Sequence, residues 1–192
     1  MKKIMLTSIT LFFIFSITSS YAQKDTIWYD SNWNITTKSK ANYFRCHCIE
    51  VDNGYWFTDY YVSGAKQMEG LSLEEDKEVY QGLVKWYHEN GNVFQTVTYN
   101  KGILNGKRQV YYESGKLKTE ENYKQGKKDG KWKTLYENGN AKEIGSYENG
   151  QKEGVWKIYY SNGKLKNEGK YVFDRKVDIW KTNYYDGTME NE

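Results

Sequence analysis

The sequence predicts an all-β protein: an elongated antiparallel sheet of tandem β-hairpins, preceded by an N-terminal cap segment. Three observations predict it. Glycines recur at Gly82, Gly106, Gly130 and Gly154, each 24 residues after the last, and Tyr99, Tyr123, Tyr147 and Tyr171 keep the same step. Aromatic residues make up 17% of the 192 residues, and with 17 Gly and no Pro this composition favours strands joined by tight turns. Asn90-Gly91, Asn138-Gly139, Asn162-Gly163 and Asp186-Gly187 each stand between alternating segments, the short-range mark of a hairpin. The aromatic content excludes a disordered polar chain. Two cysteines exclude a disulfide-built scaffold, and a net charge of +3 does not mark a nucleic-acid binder.

Residues 1–22 read as a signal peptide. Lys2 and Lys3 start it, a mostly apolar stretch runs from Ile4 to Ile17, and Ser20-Tyr21-Ala22 supplies small residues for cleavage between Ala22 and Gln23. The stretch is shorter than the roughly 20 residues a membrane span needs. No cysteine follows it to take a lipid. Cleavage removes two lysines and no acid, which lowers the net charge from +3 to +1. The expected location is outside the cytoplasm, in the periplasm, at the cell surface or secreted.

Residues 23–53 form the cap. Trp28 to Trp33 reads as an extended piece and a turn. A helical turn is expected near Thr37 to Ala41 and a strand from Asn42 to Val51. Terminal units of repeat proteins need such caps.

Residues 54–192 are the repeat array, with copies near 54–81, 82–105, 106–129, 130–153, 154–177 and 178–192. The acidic stretch from Leu71 to Tyr80 reads as a longer connection. In the copy that starts at Gly130, Asn138-Gly139 predicts a two-residue type I′ turn. Such a turn fixes the register. It sets Tyr136 opposite Ala141, Thr134 opposite Glu143 and Trp132 opposite Gly145. The same register sets Trp156 opposite Gly169, Arg108 opposite Glu121 and Val84 opposite Val97. A tryptophan covers a bare strand glycine, and the other pairs are favourable cross-strand neighbours. In the first copy a three-residue loop, Val62-Ser63-Gly64, sets Trp56 opposite Gly70. One face then carries Trp132, Thr134, Tyr136, Gly145 and Tyr147 and is the expected core. The other carries Lys133, Leu135, Lys142 and Ile144 and is expected to be wet.

The pattern G-x-W-x-x-x-Y-x-N-G-K-x-K-x-E-x-x-Y-x-x-G-x-x-x-G, legible from Gly130 to Gly154 and from Gly154 to Asp178, resembles the bacterial variant of the MORN repeat. The resemblance covers roughly residues 54–190. It implies a MORN-like hairpin array of the kind labelled YwqK-like antitoxins. The cap segment is similar to the leading segment of secreted Bacteroidetes-type repeat proteins.

Few residues suggest chemistry. Cys46-His47-Cys48 offers soft metal ligands, but a tetrahedral site needs four, and thiol ligands are normally spaced further apart. On one strand Cys46 and Cys48 would share a face and His47 would point away, so no metal site is expected. No nucleophile–base–acid set stands out, and the paired carboxylates sit among lysines. The expected protein is therefore not an enzyme, carries no cofactor and binds no nucleic acid. Its partner is expected to be a protein, met through the wet face at Tyr87, Phe94, Tyr111, Leu135 and Tyr159, where Tyr supplies contact area at low entropy cost. That row pairs Tyr87 with Phe94, Tyr111 with Lys118, Leu135 with Lys142 and Tyr159 with Lys166. A glycan or a membrane surface is the alternative partner.

Overall fold

The computed structural model describes residues 26–189. The expected signal peptide and its cleavage point at Ala22 and Gln23 lie outside them, as does the end of the last copy. The strands are β1 Ile27–Tyr29, β2 Tyr43–Arg45, β3 Ile49–Val51, β4 Gly54–Tyr61, β5 Lys66–Ser72, β6 Tyr80–Tyr87, β7 Val93–Asn100 and β8 Ile103–Tyr111. They continue as β9 Leu117–Lys124, β10 Lys127–Lys128, β11 Gly130–Leu135, β12 Ala141–Glu148, β13 Gln151–Tyr159, β14 Leu165–Val172 and β15 Arg175–Thr182. Among the described residues all 15 belong to one antiparallel sheet whose order, from β4 onward, follows the chain, except that β10 pairs only with β9. The described residues therefore form a single layer in which each hairpin leans on its neighbours, the quasi-one-dimensional logic of a repeat array.

The distant hairpin pairs lie as the spacing requires. Trp132 is opposite Gly145, Trp156 opposite Gly169, Arg108 opposite Glu121 and Val84 opposite Val97. The turn itself differs from the expected type I′. Gly139 N donates to Tyr136 O at 2.9 Å, Tyr136 N donates to Asn140 O at 2.8 Å, and Gly139 alone is left-handed, at φ 92°. This is a three-residue loop closed by a left-handed glycine. A bulge at Lys142 then restores the distant register, so Leu135, not Tyr136, faces Ala141. The loop is held by Asn138, which accepts from Asn140 N at 3.0 Å and donates to Ser161 O of the next copy at 2.8 Å. The type I′ geometry appears instead between copies, as at Asn149 and Gly150, with φ 52° and 95°.

In the first hairpin the loop Val62-Ser63-Gly64 forms as expected, with Gly64 N donating to Tyr61 O at 2.8 Å. The same bulge follows it, between Asp59 and Tyr60, and moves the register by one residue. Phe57 rather than Trp56 therefore faces Gly70. Phe57 is buried and Trp56 is exposed.

The cover over the strand glycines also differs from the simple cross-strand pair. Ile144 pairs with Lys157 and Ser146 with Glu153, so Gly154 to Trp156 bulge against Gly145 alone. The bulge swings the Trp156 indole onto Gly145, where a Cβ would stand 2.2 Å from Cδ2. Trp180 covers Gly169 and Val84 covers Gly70 in the same way. The cover comes from the following hairpin, not from the paired residue. Trp156 and Val84 are wholly buried as a result.

The cap extends the sheet. A short 3-10 turn, Lys38–Lys40, lies within the segment expected to be helical. The expected strand from Asn42 to Val51 is broken in two: β2 pairs with Asp59 to Tyr61 of β4, and β3 with Gly54 to Trp56 of the same strand. Cys46 to Cys48 span the gap. Cys48, Phe57, Met68, Tyr80 and Val84 form one buried cluster beside it.

Candidate interaction surface

Tyr87, Tyr111, Leu135 and Tyr159 occupy equivalent positions on β6, β8, β11 and β13, 24 residues apart. Each is half-buried. The Tyr87 hydroxyl donates to Glu69, and burial together with that bond pushes the phenol pKa up. Tyr111 donates to Gln109 Oε1 at 3.2 Å. Around them run charge-matched rows: Lys107 and Lys133 both reach Glu120 at 3.4 Å, and Lys157 reaches Glu168 at 3.4 Å. These are exposed pairs, worth at most about 1 kcal/mol each.

Phe94 does not join Tyr87. Its ring meets His88 edge-on, with centroids 5.1 Å apart. The equivalent lysines behave alike: Lys118, Lys142 and Lys166 lie over Tyr112, Tyr136 and Tyr160 at 5.3, 5.7 and 5.5 Å. Position 94 and its equivalents are the bulge residues, and the bulge turns them to the opposite face. The expected ladder of Tyr87 with Phe94, Tyr111 with Lys118, Leu135 with Lys142 and Tyr159 with Lys166 is therefore absent.

The tyrosines of that opposite face latch copy to copy. Tyr112, Tyr136 and Tyr160 donate their hydroxyls to Leu135 O, Tyr159 O and Asn183 O at 2.8, 2.9 and 2.9 Å. The first two of these acceptors are backbone carbonyls of the very row expected to bind. His88 replaces the tyrosine once, and its Nε2 stands 3.4 Å from Tyr111 O. Lysines roof the rings: Lys152 lies 3.9 Å from the Trp156 ring centroid and Lys176 lies 4.3 Å from that of Trp180. Where Glu121 replaces the strand glycine, it accepts from Trp132 Nε1 at 3.2 Å and from Arg108 at 2.8 Å, and pairs with Lys128 at 3.0 Å.

A second site lies at the cap, on residues the sequence did not single out. Arg45 Nε and Nη2 donate to the two oxygens of Asp59 at 2.6 and 2.7 Å, and Nη2 also donates to Glu78 at 2.7 Å. Asp59 is fully buried, and burial pushes its carboxyl pKa up despite Arg45. A cleft of about 400 Å³ opens beside it, lined by Tyr29, Trp33, Gln67, Glu78, Tyr80 and Trp86. Charged residues inside the aromatic strands Tyr43–Arg45 and Gly54–Tyr61 were the available signal. Nearby, Cys46 is exposed, Cys48 is buried, and neither is in a disulfide. His47 does not point away from Cys48 as a continuous strand would have it, because the chain leaves the sheet between β2 and β3.

These features define a class: an open-sheet repeat protein in which each hairpin is completed by the next. More particularly, four of the copies match the model of the MORN repeat variant, at residues 80–101, 104–125, 128–149 and 152–172. No curated protein matches the chain. The matched units begin two residues before the repeating glycine, contain the hairpin loop of a copy and stop at or just before the turn to the next. The first hairpin, β4 to β5, and the strand β15 lie outside them. The MORN repeat variant is a non-catalytic module, and MORN repeats in general mediate protein or membrane binding.

Proposed function

We propose that the chain is an exported, non-enzymatic scaffold that binds a partner protein at the cell envelope. The observation that carries this reading is the row of Tyr87, Tyr111, Leu135 and Tyr159. It repeats at one step along a single-layer sheet, and no second layer of the described chain covers it. Half-buried tyrosines among matched charges suit a protein surface, which presents both apolar and polar groups. The N-terminal segment supplies the export signal. Export leaves the YwqK-like antitoxin role without access to a cytoplasmic toxin. Proximity labelling in the native cell identifies the partner, and a pull-down with Tyr111→Ala and Tyr159→Ala tests the face. Loss of capture supports it. Unchanged capture removes this face.

A glycan of the envelope is the second reading, favoured by the cap cleft. Tyr29, Trp33 and Trp86 line it beside acceptors on Glu78 and Gln67. Co-sedimentation with peptidoglycan tests it, and a pellet no richer than the control sinks it. A lipid headgroup is less suited, because the net charge after cleavage is near zero.

A further inference from the structure

We propose that His47, Cys48 and Glu75 form a zinc site that pins the acidic connection 73–79 to the cap. An imidazole nitrogen, a thiol sulfur and a carboxylate oxygen from these residues all lie within 4.8 Å of one another. They come from two separate connections. His47 and Cys48 occupy the gap between β2 and β3, and Glu75 lies between β5 and β6. Zinc bonds of about 2.0–2.3 Å bring tetrahedral ligands within about 4 Å of each other. The remaining closure is a small rotation of His47 and Glu75, both exposed.

The chemistry suits zinc rather than a hard cation. Thiolate, imidazole and carboxylate are a mixed borderline set, whereas magnesium or calcium would take oxygens alone. The site opens into a cleft of about 390 Å³ that Cys46 and Asp76 also line, so a fourth position is accessible to water, to Cys46 or to a partner's side chain. Arg45 lines the same cleft, but its charge is held by Asp59 at 2.6 Å and Glu78 at 2.7 Å. On binding, the Cys48 S–H bond breaks, the sulfur bonds zinc, and the proton leaves to solvent. No oxidant is involved.

The connection that carries Glu75 is built around one buried hydroxyl. Ser72 Oγ donates to Lys77 O at 2.6 Å and accepts from Val79 N at 3.1 Å and Glu74 N at 3.2 Å. This arrangement holds the Glu75 backbone near Cys48, whose sulfur stands 4.0 Å from Glu75 O. The carboxylate is thus delivered to the thiol by the fold.

The test uses the exported chain, reduced and stripped of metal, then dialysed against zinc and measured by elemental mass spectrometry. One zinc per chain is expected. Cobalt in its place should show a thiolate-to-cobalt charge-transfer band. His47→Ala and Glu75→Gln, both at exposed positions, should each weaken zinc binding by at least about tenfold, with an unchanged far-UV circular dichroism spectrum. Substoichiometric zinc, or binding equal to the parent in both variants, would overturn the proposal as adventitious thiol binding.

Discussion

The indole of Trp156 fills the space that a side chain on Gly145 would need: Cδ2 lies 2.2 Å and Cε2 2.3 Å from where a Cβ would stand. Both atoms belong to the fused body of a fully buried ring, which has no room to withdraw. Gly145→Ala should therefore cost at least the ~1–3 kcal/mol typical of overpacking. Gly139→Ala meets no atom within 4 Å but sits at φ 92°, so its cost should be about 1–2 kcal/mol. Urea unfolding of both variants, with the Gly145→Ala/Trp156→Ala double variant, checks the assignment. The double variant should lose less than the sum of its parts, because removing the ring removes the clash.

Acid should expose the role of Glu121. Burial alone would raise its carboxyl, but bonds from Arg108, Lys128 and Trp132 together hold the pKa below the usual value. A depressed folded pKa means that the native state binds fewer protons than the unfolded chain. The contribution is then present above the ordinary glutamate range and lost as pH falls through the folded value. Stability curves of the parent and Glu121→Gln should converge toward acid and diverge toward neutral pH. Parallel curves would show that these bonds contribute nothing.

The tyrosine latches should each contribute a measurable share. Tyr136→Phe removes the bond to Tyr159 O, 2.9 Å long, and keeps the ring. A loss of about 0.5–1.5 kcal/mol is expected. His88→Tyr should act in reverse, since the histidine reaches Tyr111 O only at 3.4 Å. Equilibrium unfolding of the two variants reads both signs.

The last between-copy turn departs from the others. Phe173 and Asp174 hold φ of 49° and 65°, where the preceding copy has Asn149 and Gly150. Phe173 is 67% exposed, so its ring returns little for that conformation. Asp174 is retained for a reason, since its carboxylate accepts from Lys152 N at 2.7 Å. Phe173→Asn should raise the thermal midpoint, because asparagine tolerates the left-handed region. Asp174→Gly should gain less, losing that bond.

Much of the array was legible because its information is local. The 24-residue step, the Gly-containing turns and the period-2 alternation place Trp132 opposite Gly145 and Val84 opposite Val97 without reference to anything distant. Even the wrong turn type gave the right distant register, because the longer loop and the bulge at Lys142 cancel. In the first hairpin they do not cancel from the expected starting loop, so Phe57 rather than Trp56 meets Gly70. The bulge leaves no separate mark in sequence. It therefore also hid the turning of Phe94 toward His88.

The sequence by itself determined the hairpin, its period and the distant pairs within it, since these follow from turn chemistry and strand periodicity. The tertiary structure decided what crosses from one hairpin to the next or from the cap to the array. It set Trp156 over Gly145 rather than Gly169, and joined Arg45 to Asp59 and Glu78. It also brought Glu75 to His47 and Cys48. Those contacts depend on bulges and strand breaks that re-aim side chains between neighbouring strands, and a repeat period records the spacing of residues, not the direction in which a bulge turns them.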